Sequence, residues 1–120
     1  MADDATGTLR IIGLALFLVV SASLVIVGEL LARKRIRPNR YIGVRIPATV
    51  RNPELWYVVN AFAGKLLIGV GVVTAVIAIG LFFAQRLDTD AYVRVTILAF
   101  VALAVGYTVA ALIYVRAVSR

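Results

Sequence analysis

Three long runs of this chain carry no charged residue: Ile11–Gly28 over 18 residues, Leu66–Gln85 over 20 and Val95–Val115 over 21. A helix rises about 1.5 Å per residue, so crossing a hydrocarbon core of roughly 30 Å takes about 20 apolar residues. A helix buried in a soluble bundle keeps a polar stripe, whereas these runs are apolar all round. The charged residues, only 16% of the chain, gather between the runs, and 62% of the residues are hydrophobic with a mean hydropathy of +0.99. Such values lie far above those of soluble domains. The expected fold is an all-α membrane protein with three transmembrane helices. A structured cytoplasmic loop and an interfacial helix would lie between the first and second. One membrane domain is expected over residues 1–120, with spans at about 9–32, 64–84 and 95–115 and a loop motif at 38–65.

The first span is read as retained. A cleaved signal peptide starts with a basic segment, but Asp3 and Asp4 precede this run, and apolar residues continue past Ser21-Ala22-Ser23 to Gly28. Charge then sets the orientation. Arg33, Lys34, Arg35, Arg37, Arg40, Arg45 and Arg51 lie between the first two spans, with Lys65 at the start of the second and Arg116 and Arg120 after the third. The other side has Arg10, Arg86 and Arg94 beside Asp3, Asp4, Asp88 and Asp90. The positive-inside rule places the N-terminus outside and the 38–65 loop and C-terminus in the cytoplasm. The net charge of +7 is thereby a topology signal with an affinity for anionic lipid at the cytoplasmic face, rather than a nucleic-acid footprint.

Cysteine and histidine are absent. Disulfides, thiolate or imidazole metal ligands, thiol or imidazole nucleophiles and c-type haem attachment are excluded with them. The six acids are divided between the two sides, so no convergent carboxylate pair is expected, and neither an enzyme nor a cofactor. Gly69-x-Gly71 lies within an apolar run with no Lys or Ser/Thr following, which makes it a packing feature and not a phosphate loop.

Local signals set the helix boundaries. The first helix is expected over Leu9–Arg35, ended by Pro38, with Glu29 and Arg33 paired one turn apart. Asn52-Pro53-Glu54 reads as a helix start: an Asn cap, Pro at the first helical position and an acid at the positive dipole end. From Pro53 to Ala84 is about 48 Å of helix, longer than the core, so a break or bend near Ala63-Gly64 is expected after an interfacial piece. Trp56 and Tyr57 suit an aromatic belt there, and Lys65 can snorkel to the same surface. A tight external turn is expected over Gln85–Arg94. Small residues recur at Gly64, Gly71, Ala75 and Ala78 in the second span and at Ala99, Ala102, Gly106 and Ala110 in the third. In lipid such faces let helices approach closely, here chiefly within the chain, with a homo-oligomer as the alternative use. Tyr107 and Thr108 lie mid-span, where they can hydrogen-bond between helices.

The stretch 38–65 is more ordered in composition than a linker needs. Asn39, Gly43, Arg45, Pro47, Thr49, Asn52, Glu54, Trp56, Asn60, Gly64 and Lys65 are spaced like a docking element. Gly43 permits a turn, Pro47 fixes a kink, and Arg45 supplies a planar fork for a carboxylate, a lipid phosphate or a helix C-terminus. Glu54 is the nearest internal partner for Arg45. A lock of Arg45, Glu54 and Asn60 against the membrane face stands beside a ligand site as the reading of these residues.

This pattern resembles the signature of the SdpI/YfhL family of small bacterial membrane proteins, in which a G-x-R-T-x-x-T-like stretch precedes an E-x-W helix start and an N/H-x-x-[AG]-G-[KR] opening of the next span. The chain departs from it at Ile46, where Thr is common, and at Ala48, where an aromatic often sits. The resemblance implies a bacterial inner-membrane protein. It also implies immunity to a membrane-active peptide toxin, or membrane signalling through a cytoplasmic regulator, as for the family's namesake. A non-catalytic accessory subunit of a larger membrane complex is the competing expectation.

Overall fold

The computed structural model describes residues 2–84 and 88–119, with side chains from Ala5 onward. Four helices follow one another: α1 (Ala2–Ala32), α2 (Pro47–Val50), α3 (Pro53–Phe82) and α4 (Thr89–Val118). α1, α3 and α4 are each long and apolar enough to cross a membrane. They form an elongated bundle of 58 × 22 × 19 Å. Large apolar side chains such as Leu16, Val19, Val76 and Ile113 stay more than 60% exposed on its sides. Among the described residues there is no strand. An apolar surface of that extent belongs against lipid, and the protein is a multi-pass membrane protein.

α1 and α3 run antiparallel and cross at glycine. A Cβ placed on Gly28 would lie 2.6 Å from the Gly64 carbonyl oxygen, and one on Gly64 would strike the Gly28 carbonyl oxygen and come within 2.7 Å of Ala32 N. Two turns along, a Cβ on Gly71 would lie 2.8 Å from the Ser21 carbonyl oxygen and 2.8 Å from Val25 Cγ2. Gly64, Gly71 and Ala78, at intervals of seven, are all buried, so the small-residue face of the second span packs within the chain. The hydroxyls of Ser21 and Thr74 are buried with no hydrogen-bond partner, so close backbone approach and dispersion hold the crossing, not polar bridges. The face expected on the third span is different. Ala102 and Gly106 are exposed, and nothing lies within 4 Å of a Cβ built on Gly106. Thr108 donates to the Ala104 carbonyl of its own helix at 2.9 Å and does not bridge helices.

At the end of the bundle holding the N-terminus, Arg10 closes α3. Its Nη2 lies 3.0 and 2.8 Å from the carbonyl oxygens of Leu81 and Phe82, in the last turn of α3 where a cation is favoured, and 3.0 Å from that of Ala84 just beyond the helix. The guanidinium also sits 5.6 Å from the Phe82 ring centroid and 5.0 Å from that of Tyr92. Tyr92 is fully buried and donates to the Ala78 carbonyl at 3.0 Å, and Thr89 donates to the Thr6 carbonyl at 3.3 Å. α1 begins at Ala2 and not at Leu9, and the Thr89–Thr6 bond joins its exposed early turns to the start of α4. In the sequence Arg10 stands out only as a topology charge. Of the turn expected over Gln85–Arg94, residues 85–87 lie outside the described residues, and Thr89–Arg94 already belong to α4.

Two other boundaries differ from expectation. α3 passes through Ala63-Gly64 without interruption, because Gly64 serves the α1 crossing and not a break. At about 1.5 Å per residue its 30 residues span about 45 Å, so part of the helix extends beyond the hydrocarbon core. α1 ends at Ala32, well before Pro38. Lys34 takes a left-handed conformation, φ 61°, with Lys34 N donating to Leu31 O at 3.1 Å and Arg35 N to Leu30 O at 2.9 Å. That pair of bonds is a Schellman termination with lysine where glycine is preferred. The expected Glu29–Arg33 pair is present on the exposed surface before it.

Unfolding of the purified protein in mixed micelles, followed by circular dichroism, tests this account. Gly64→Ala should cost about 2–3 kcal/mol, since backbone on both sides must yield, while Gly106→Ala should stay within about 1 kcal/mol of wild type. Lys34→Gly should stabilise by about 0.5–1 kcal/mol, relief of the left-handed strain exceeding the added freedom of the unfolded chain. Equal losses at Gly64 and Gly106 would remove the crossing from its central place.

Candidate functional site

The loop from Arg35 to Asn52 is tied down at nearly every turn. Asn39 organises its first half: Oδ1 accepts from Tyr41 N and Ile42 N, both at 2.8 Å, and Nδ2 donates to Arg37 O at 2.7 Å and Ile42 O at 3.2 Å. Such local bonding is the usual work of Asn in turns. Gly43 follows with φ 113°, which L side chains rarely adopt, and a Cβ there would lie 2.8 Å from Asn60 Oδ1 and 3.1 Å from Trp56 Cη2. Glycine is needed for both the turn and the close fit.

Asn60 and Trp56, one turn apart on α3, receive this loop. Asn60 Oδ1 accepts from Val44 N at 2.6 Å, and its Nδ2 donates to Trp56 O at 3.0 Å. Trp56 is fully buried and its Nε1 donates to Ile36 O at 3.0 Å, joining the stretch just after α1 to the first turns of α3. The aromatic belt expected of Trp56 is therefore not formed by it. Its indole is the floor of the loop, and only Tyr57 keeps partial exposure. Thr49, also fully buried, accepts from Ile46 N at 3.1 Å and has the Val44 and Ile46 carbonyls within donating distance, at 2.7 and 3.0 Å. It closes the single-turn helix α2, which the sequence reading did not foresee. Pro47 occupies the first position of that helix, where its missing N–H is harmless, and it is not a free-standing kink. Asn52 caps α3 as expected, accepting from Glu54 N at 3.1 Å and Leu55 N at 3.2 Å.

The signature residues thus divide by task. Asn39 and Thr49 shape the loop from within; Trp56 and Asn60, with Gly43 fitted against them, lock it to α3; Pro47 and Asn52 start helices; Gly64 carries the crossing with α1. Three charged residues remain exposed: Arg45, Glu54 and Lys65. The pairing expected between Arg45 and Glu54 is not made. Arg45 Nε donates instead to Asn39 O at 2.8 Å, and among the described residues the one ion pair is Glu29–Arg33. The reason is local: Asn39, six residues earlier, turns its carbonyl toward Arg45, while Glu54 lies on the first turn of α3. Glu54 lines an open groove of about 530 Å³ with Lys34, Tyr57 and Val58. Lys34, absent from the sequence-level site, reaches it through the left-handed end of α1; a basic run with no glycine gave no sign of that conformation.

The lock has a direct readout. Asn60→Ala removes the acceptor of a partly buried amide, which costs about 1–3 kcal/mol, so hydrogen exchange at the Val44 amide should accelerate strongly while mid-span amides of α3 stay protected. Arg45→Gln should leave Val44 exchange unchanged. Protection at Val44 that survives Asn60→Ala would show the loop to be held by something else.

A family model described as the SdpI/YfhL protein family matches residues 35–115, about two thirds of the chain, and the matched region opens on this loop. No curated protein and no solved structure matches. The chain belongs to the SdpI/YfhL family.

Proposed function

We propose, starting from membership of the SdpI/YfhL family, that this protein is a non-catalytic membrane module giving immunity to a membrane-active peptide toxin, or signalling through the loop between its first two spans. The observation that carries this reading is the division within the signature: five of its residues order the loop and its seat on α3, leaving Arg45 on the loop and Glu54 on the first turn of α3 exposed to solvent. A plain connection between spans has no use for a buried Trp–Asn lock. In this reading the apolar helices engage the toxin or neutralise its effect, and the loop face meets a cytoplasmic regulator. The orientation is that of the basic excess: loop and C-terminus in the cytoplasm, N-terminus outside, in a bacterial inner membrane, with anionic lipid at the cytoplasmic face. The loop face takes a protein rather than nucleic acid.

A second reading rests on a different observation. The Ala102–Gly106 face of α4 has no neighbour within the chain, and a small-residue face in lipid suits a helix of another subunit or a second copy. The protein would then be an accessory or assembly subunit.

The test is survival and membrane potential of cells lacking the gene during coculture with toxin-producing neighbours. Wild type added back should prevent depolarisation. Arg45→Ala and Glu54→Ala, at wild-type abundance, should fail to protect or to signal. Full protection by both variants would discard the loop's part. No difference between the deletion and wild type would favour the accessory-subunit reading, in which Gly106→Ile abolishes co-purification of a larger membrane protein.

A further inference from the structure

The loop end of the bundle holds a second feature, outside the lock. Lys34, from the end of α1, and Lys65, from α3, line one open groove of about 350 Å³ together with Tyr114 of α4, and Val58, Ala61 and Phe62 form much of its apolar wall. No acidic residue lines it, and among the described residues neither lysine forms an ion pair. Glu54 borders the adjoining groove, which shares Lys34 and Val58 with this one, and a further groove beside Asn52 and Leu55. The Phe62 and Tyr114 rings stack at 3.9 Å with 16° between their planes, which fixes the phenol at the groove's edge.

Depth and backbone agree on what such a groove suits. Lys65 immediately precedes the uncharged run Leu66–Gln85, and Tyr114 is next to last in Val95–Val115, so the groove lies where hydrocarbon gives way to headgroups. Lys34 stands at the left-handed position of the Schellman turn, which favours glycine; a lysine held there against its backbone preference places an ammonium on the groove. Two lysines in a groove with no carboxylate in its lining, at the edge of an uncharged run, match an anion bearing a hydrocarbon chain.

We propose that this groove binds one anionic phospholipid, its phosphate between the Lys34 and Lys65 ammoniums beside the Phe62–Tyr114 stack and its chains running past Lys65 toward the uncharged run Leu66–Gln85. This is a defined site, distinct from the diffuse attraction of the basic run Arg33–Arg40 to a charged surface. It rests on embedding in a membrane alone and stands or falls apart from the immunity reading.

The full chain in mild detergent, titrated with phosphatidylglycerol or phosphatidylcholine and read by native mass spectrometry and thermal midpoint, decides it. Wild type should retain one phosphatidylglycerol and gain stability from it, with no such response to phosphatidylcholine. Lys65→Met and Lys34→Gly should each weaken retention about fivefold, the factor equivalent to about 1 kcal/mol per lysine at a lipid surface. Lys34→Gly is the sharper probe, because in phosphatidylcholine it should be at least as stable as wild type while losing the anionic lipid. Arg40→Gln, which removes a cation outside the groove, should change nothing. Equal weakening by Arg40→Gln would reduce the effect to surface charge, equal retention of both lipids would remove the headgroup from recognition, and displacement by excess inorganic phosphate would reassign the groove to a free anion. Each of these overturns the proposal.

Discussion

Everything on the loop side depends on the contact of Gly28 with Gly64. Lipid tails are as apolar as the helices, so no hydrophobic force drives α1 onto α3, and only close approach yields enough dispersion to hold them. Glycine at both helices lets main chain meet main chain. That contact fixes where α1 ends relative to the first turns of α3, and hence where the chain re-emerges at Ile36 to meet the Trp56 indole. A side chain at either glycine would separate the two ends of the loop's anchorage before it touched the loop itself.

The loop then follows the rules of a water-exposed turn held against a buried floor. Asn39, Thr49 and Asn60 supply side-chain partners for the amides of Tyr41, Ile42, Val44 and Ile46. Arg10 does the complementary work at the other end, collecting the terminal carbonyls of α3 between two aromatic rings. The bundle is thus tied at both ends by polar groups and in the middle by packing alone.

Much of this was legible in the sequence. The three spans follow from uncharged length, the α3 start from Asn52-Pro53-Glu54, the Glu29–Arg33 pair from spacing, and the internal use of Gly64, Gly71 and Ala78 from their period. The errors share one cause: residues were given tasks from local chemistry when tertiary neighbours decided. Trp56 looked like a belt residue because nothing in the sequence says that Ile36 O lies above it. Arg45 was matched to Glu54 by charge, but a main-chain carbonyl was nearer. Gly64 suits both a hinge and a packing face in the sequence, and the facing Gly28 decides for the packing face. The early end of α1 was hidden because lysine, not glycine, takes the left-handed turn.

The unbroken course of α3 gives the molecule a mechanical property. Its segment from Pro53 to Lys65 stands outside the uncharged run as a stiff arm about 18 Å long at 1.5 Å per residue, and Trp56 and Asn60 bolt the loop to that arm. A tilt of about 10° about the arm's base, well within the tilts that bilayer thickness imposes on helices, would swing its tip by about 3 Å. The loop travels with it as one body, so bilayer thickness and the position of Arg45 are geared together.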